Sequence, residues 1–266
     1  MTERQLTLQE IQQEQLTMLE QLTNYLSAHG IRYFLAYGSL LGAIRGGGPI
    51  PWDDDIDLVI PRPDFDRLRE LKPDLDGLRF FWPGEEGFPV MWAKCVSRRT
   101  VFREPYKVFP PGYGVFMDLF VLDGLPARSG RFHFERVKLL ERLYVLGYGV
   151  DPRNFDKKSW KFWPRAIASR LAKLIPRRYY LGRLDDLMRK YPYGSPGGVA
   201  NLLDPYPYSR SRLDGNDLDH PSLCSFSDLE VATFAQPESV LERTYGANWR
   251  VPIPRERVHH GEAFWR

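Results

Sequence analysis

The stretch Tyr33–Phe65, YFLAYGSLLGAIRGGGPIPWDDDIDLVIPRPDF, decides how this chain is read. Residues 31–37 form an apolar, β-prone run that predicts a buried strand. The strand meets Gly38-Ser39, followed by LLGAIR as a short helical turn and by Gly46-Gly47-Gly48-Pro49 as a loop. After Pro51-Trp52 come four carboxylates in five residues: Asp53, Asp54, Asp55 and Asp57. Ile56, Leu58, Val59 and Ile60 make the end of this run a second strand, which Pro61 and Pro63 close, and a helix is expected over 64–71.

Alternation along a strand selects among the four acids. Asp55 and Asp57 stand at i and i+2 and share a face, whereas Ile56 and Leu58 point into the opposite layer. Two carboxylates so placed can grip one hard cation or bridge two. A later apolar strand at 115–122, VFMDLFVL, carries one acid, Asp118, as the natural third ligand. Taken alone, DDDID also reads as an acidic surface turn. The calcium-loop reading is poor, because the D-x-D-x-D-G pattern and its final Glu are missing. Gly38 permits close backbone approach, and the Ser39 hydroxyl with nearby N–H groups can cradle a phosphate. A phosphate cradle beside paired acids is what phosphoryl transfer requires.

Working outward, residues 6–28 predict an amphipathic helix. Leu8, Ile11, Met18, Leu19, Leu22, Tyr25 and Leu26 recur at helical spacing, with Gln and Glu between them. Further strands are expected near 79–82, 90–97 and 99–103, which completes a mixed α/β sheet over 30–125. Residues 126–266 are expected to be mainly helical and packed on that core, with helices at 131–147, 164–175, 178–190 and 237–245. The Pro-, Tyr- and Gly-rich stretch 191–221 reads as loop. One catalytic unit spanning 1–266 is expected, not two domains.

The quoted stretch closely resembles the signature of the LicD family, bacterial phosphocholine-type transferases related to the fukutins of animals. KCVSRRT at 94–100, VFMDLFVLDGLP at 115–126, LERTYGANWRVPIP and His259-His260 extend the likeness. The loop before Ile50-Pro51-Trp52 departs from the family pattern, being Gly46-Gly47-Gly48-Pro49. The resemblance implies a nucleotidyltransferase fold, with Gly38-Ser39, Asp55/Asp57 and Asp118 as its Gly-Ser, D-x-D and third acid. It implies transfer of a phospho-alcohol, such as phosphocholine, from a CDP-linked donor to a hydroxyl of a cell-surface glycan or its lipid-linked precursor. Asp55, Asp57 and Asp118 are then catalytic and hold Mg²⁺ or Mn²⁺, while Gly38 and Ser39 bind donor phosphate. Asp118 is also a candidate to take the acceptor's proton.

Other residues carry paired expectations. Arg45 and Lys94 either steady phosphate charge or are a solvated helix end and an outward strand residue. Trp52 either stacks on a base or cationic head or packs as a wedge. Asp53 and Asp54 are expected to support the ligands or shape the turn. His259 and His260 either close the site or form a solvated tail. Residues 157–178, KKSWKFWPRAIASRLAKLIPRR, contain eight Lys or Arg and no acid. Trp160, Trp163, Ile167, Leu171 and Leu174 recur there at helical spacing, which fits either contact with an anionic membrane surface or an apolar stripe packed on the sheet.

Composition bounds the rest. The 266 residues are 43% hydrophobic, enough for a closed core, and a net charge of only +3 argues against a nucleic-acid partner. Two distant cysteines suggest no disulfide framework, and the N-terminus lacks a signal-peptide core. A cytoplasmic protein, at most peripheral to the inner face of a membrane, is expected. Two rivals stand beside the phospho-alcohol transferase: an enzyme that transfers the nucleoside monophosphate itself, and an inactive relative serving as a binding scaffold.

Overall fold

The computed structural model describes residues 4–104, 107, 109–149, 162–252 and 260–266. Helix α1 (Leu8–Ala28) starts in a capping box: the Thr7 hydroxyl accepts from the Glu10 N–H, and the Glu10 carboxylate accepts from the Thr7 N–H. Its apolar stripe, Met18, Leu19, Leu22 and Leu26, is fully enclosed.

Among the described residues, seven strands make the main sheet. Its path runs β1 (Phe34–Leu35), β2 (Asp57–Pro61), β6 (Phe116–Gly124), β4 (Ala93–Ser97) and β3 (Leu78–Phe81). The β2–β6 pair is parallel and the other pairs on this path are antiparallel. Two short strands, β7 (Val199–Ala200) and β8 (Arg212–Leu213), extend the sheet from the end of β6. Strand β5 (Thr100–Arg103) instead pairs with β11 (Glu262–Trp265).

Alternation sorts the strand residues between two layers. Leu58, Ile60 and Leu119 join the core beneath α1 and α3 (Arg62–Leu71). Val59 and Leu122 face the other way, into a core shared with α2 (Tyr37–Gly46) and α9 (Pro237–Tyr245). A third core lies between α4 (Gly130–Tyr144) and α6 (Arg177–Met188), built around Phe134, Val137, Tyr180 and Leu184. The mixed α/β sheet with flanking helices is therefore as expected.

Several local expectations change. The strand expected over 31–37 is only two residues long, because Tyr37 takes a left-handed φ of 49° and turns the chain into α2. The short turn expected after Gly38-Ser39 is a ten-residue helix that includes both. The region 191–221 holds β7, α7 (Tyr208–Ser211), β8 and α8 (Gly215–Leu218), elements too short to leave a periodic trace. A hairpin of β9 (Ser222–Phe226) and β10 (Leu229–Thr233) follows. Helix α4 runs into a π-helical turn at Val145–Gly149. Helix α5 (Phe162–Ala172) does not pack its large apolar residues on the sheet: Ile167 and Leu171 are exposed. Trp160 and the rest of 157–161 lie outside the described residues.

Candidate active site

Asp57 opens β2 and stands in register with Asp118 of β6, which in turn stands in register with Lys94 of β4. Residues directly opposed on neighbouring strands share a face. One row across three strands thus carries acid, acid and ammonium. Asp55 precedes β2 and reaches the same place, so that carboxylate oxygens of Asp55, Asp57 and Asp118 all lie within 4.8 Å of one another. Ile56 is fully buried in the core on the far side, as the alternation requires.

Three crowded acids are costly when ionised, and their surroundings show how the cost is met. Burial, then the neighbouring Asp53, lifts the Asp55 carboxyl to about 7. Burial, followed by the Asp55 and Asp118 charges, holds Asp57 well above the usual carboxylate range. Lys94 opposes these effects from inside the cluster. Its ammonium lies 2.6 Å from Asp118 Oδ1 and 3.4 Å from the centre of the Phe116 ring. It is a buried counter-charge, not an outward strand residue. The Trp92 indole N–H donates to the same Asp118 oxygen at 2.8 Å. Trp92 did not emerge from the sequence, although its place two residues before Lys94 carried the signal.

Helix α2 brings its first turn to the trio. The Ser39 hydroxyl accepts from the Asp57 N–H at 2.9 Å, which ties the helix start to β2 and leaves the hydroxyl proton for another acceptor. A Cβ on Gly38 would stand 2.9 Å from Asp53 Oδ2, so glycine is what lets that carboxylate approach. Among the described residues nothing accepts from the N–H groups of Gly38 or Ser39. Tyr37 holds its strained backbone through its hydroxyl, which donates to Asp204 at 3.0 Å and accepts from Asn201 at 2.9 Å. Sequence periodicity could not find this anchor, because its partners lie more than 160 residues away.

The acid loop is pinned from two sides. From α1, the Gln15 amide donates to the carbonyls of Asp54 and Phe116 at 2.7 and 3.0 Å. Gln12 does the same for Ile50 and Asp53. Both looked like solvent-facing polar residues in the sequence. From the C-terminus, β11 delivers His260 to the loop. Its N–H donates to Asp54 Oδ2 at 3.0 Å, its Nδ1 lies 2.5 Å from Asp54 Oδ1, and its Nε2 lies 3.6 Å from Asp55 Oδ2. The hydrogen bond to Asp54 lifts His260 to about 9, against the effect of burial. Asp54, fully enclosed, holds His260 behind the trio.

Two candidates stand apart. Arg45 lies in the last turn of α2, about 12 Å along the helix axis from Tyr37. The structure does not bring it to the trio. Trp52 is half-buried and joins none of the three cores. His259 lies outside the described residues.

The donor set is all carboxylate oxygen, which suits a hard divalent cation such as Mg²⁺ or Mn²⁺ and not a thiolate- or imidazole-seeking metal. Fixed acids beside an N-terminal helix turn with free N–H groups can bind a phosphorylated ligand and carry out chemistry at its phosphorus.

Known proteins point the same way. A family model described as "LicD/FKTN/FKRP, nucleotidyltransferase domain" matches residues 30–121, a span that takes in Gly38, Asp55, Asp57 and Asp118. The lipopolysaccharide cholinephosphotransferase LicD of Haemophilus influenzae is 32% identical over 262 residues, covering 97% of each chain. The ribitol 5-phosphate transferases FKRP of Mus musculus and Homo sapiens are 51% identical over 47 residues, which are 18% of this chain and 10% of theirs. Since the bacterial match runs the length of both proteins and the family model covers the acid row, the chain belongs to the LicD family.

Proposed function

We propose that the protein moves a phospho-alcohol from a CDP-linked donor to a hydroxyl of a cell-surface glycan or its lipid-linked precursor. The family is one of phosphotransferases: one relative is named for cholinephosphate transfer to lipopolysaccharide and others for ribitol 5-phosphate transfer. The observation that carries the reading is the row Asp57–Asp118–Lys94, completed by Asp55 and flanked by the open first turn of α2.

Asp55, Asp57 and Asp118 are the residues to hold Mg²⁺ or Mn²⁺, which when bound supplies positive charge against the donor diphosphate. The N–H groups of Gly38 and Ser39 and the Ser39 hydroxyl donate to phosphate oxygens. Lys94 and Trp92 fix Asp118 by its Oδ1. We assign the proton of the attacking hydroxyl to Asp118 Oδ2, the oxygen that neither of them occupies. That hydroxyl attacks the phosphorus bearing the alcohol, the P–O bond to the nucleotide breaks, and cytidine monophosphate leaves. Trp52, with its ring on no apolar core, is available to stack on the base or on a cationic head.

Phosphorus NMR of the products tests the scheme. With CDP-choline or CDP-ribitol, Mg²⁺ and a glycan acceptor, cytidine monophosphate should appear together with a phosphodiester on the glycan. Release of pyrophosphate from cytidine triphosphate would establish nucleotidyl transfer in its place.

A further inference from the structure

Helix α5 turns the wrong way for a helix of a buried core. Ser169 and Ala172 are enclosed, and Ala172 meets Gly147 of the π-helical turn. Ile167, Leu171 and Leu174 face outward, 56, 59 and 76% exposed, beside Trp163 at 71%. At about 100° per residue Trp163, Ile167 and Leu171 span an arc of about 80°, a single stripe that Leu174 continues from the turn just after the helix. A soluble helix normally buries such a stripe and exposes its small residues.

Charge identifies the occupant. Arg165, Arg170, Lys173 and Arg178 are exposed around the stripe, and residues 162–184 contain no Asp or Glu. Arg177 is turned inward to the Glu85 and Phe88 carbonyls, and Arg183 pairs with Asp186. A second copy docked face to face on this stripe would set like charges against each other, whereas an anionic bilayer would neutralise them. No helix among the described residues is long and apolar enough to cross a membrane, so contact would lie in the interfacial plane.

We propose that α5 and the start of α6 form a docking face for an anionic lipid surface, with Ile167, Leu171 and Leu174 inserted among acyl chains and the surrounding arginines at the headgroups. This goes beyond the transfer reaction and does not depend on which alcohol is carried. It would place the enzyme where lipid-linked acceptors reside.

Co-sedimentation of the full chain with vesicles tests it. Vesicles of phosphatidylglycerol and phosphatidylcholine should retain the protein, and pure phosphatidylcholine should retain far less. Binding to the anionic vesicles should fall steeply between low and high salt. Ile167→Ser/Leu171→Ser, two exposed changes, should weaken it by about ten-fold or more while the melting temperature holds. Arg170→Gln/Lys173→Gln should weaken it less and flatten the salt dependence. Absence of binding to anionic vesicles would overturn the proposal. So would a dimer in solution that Ile167→Ser/Leu171→Ser splits into monomers.

Discussion

The Lys94 ammonium lies 2.6 Å from Asp118 Oδ1, with both side chains almost wholly enclosed. It is a cation built into an acid cluster, and replacing it with the similar-sized but neutral Met isolates its charge. Removing one partner of a buried pair costs about 3–5 kcal/mol. Lys94→Met should therefore lower the urea midpoint of the metal-free protein sharply. Saturating Mg²⁺ should return more stability to the variant than to the wild type, because the three acids then lack their internal counter-charge. Equal stabilisation of both proteins by Mg²⁺ would show that Lys94 does not offset the cluster.

Stability should fall with rising pH in two steps. A group held above its unfolded pKa binds more protons folded than unfolded, so stability declines between the two values. For Asp55 that window runs from 3.8 to about 7, and for His260 from 6.5 to about 9. The stabilisation from protonated His260 is thus complete below 6.5 and lost as pH rises through about 9. Melting temperatures of His260→Gln should lose the His260 limb, while the Asp55 limb, without the His260 charge that lowers it, shifts to higher pH. An unchanged slope between pH 6.5 and 9 would remove His260 from the account.

Gln15 is a positioning residue for the acid loop. Gln15→Leu deprives the buried carbonyls of Asp54 and Phe116 of their donor, at a cost of about 2 kcal/mol or more. Gln12 is only half-buried, so water can replace its amide and Gln12→Leu should cost about 1 kcal/mol or less. Chemical denaturation of the pair measures the difference, and equal losses would mean that Gln15 merely fills space.

Two glycines of α2 should respond oppositely to alanine. A Cβ on Gly42 would press on the Gly48 carbonyl and stand 3.1 Å from the Ile50 nitrogen, so the loop leading to the acids must shift. A Cβ on Gly46 meets nothing within 4 Å. Gly42→Ala should lose about 1–3 kcal/mol and weaken metal binding. Gly46→Ala should gain up to about 1 kcal/mol and leave binding intact. Thermal melts with and without Mn²⁺ distinguish the two, and a harmless Gly42→Ala would contradict the packing described.

Legibility followed the range of the forces. Asp55, Asp57 and Ile56 were sorted correctly from alternation alone, since a strand's side-chain period is a local property. Helix α1 announced itself by spacing, and the helix expected at 237–245 matches the observed one to the residue. Residues whose partners are remote in sequence stayed hidden. Gln15 meets Phe116 101 positions away, and Tyr37 meets Asp204 167 positions away. Lys94 read equally well as solvent-facing, because nothing local shows that β4 lies beside β6. Strands β7 and β8, two residues each, exist only because the end of β6 offers an edge to pair with. The family resemblance named the fold and the trio, whereas Tyr37, held by Asn201 and Asp204, did not emerge from it.

The most direct test of the central claim is a Mn²⁺ titration of the metal-free protein, followed by electron paramagnetic resonance of the free ion. The wild type should bind Mn²⁺ near neutral pH. Asp55→Asn, Asp57→Asn and Asp118→Asn should each weaken binding by about ten-fold or more, with circular dichroism unchanged. A triple variant, Asp55→Asn/Asp57→Asn/Asp118→Asn, that stays folded and binds Mn²⁺ as tightly as the wild type would contradict the assignment of the three acids.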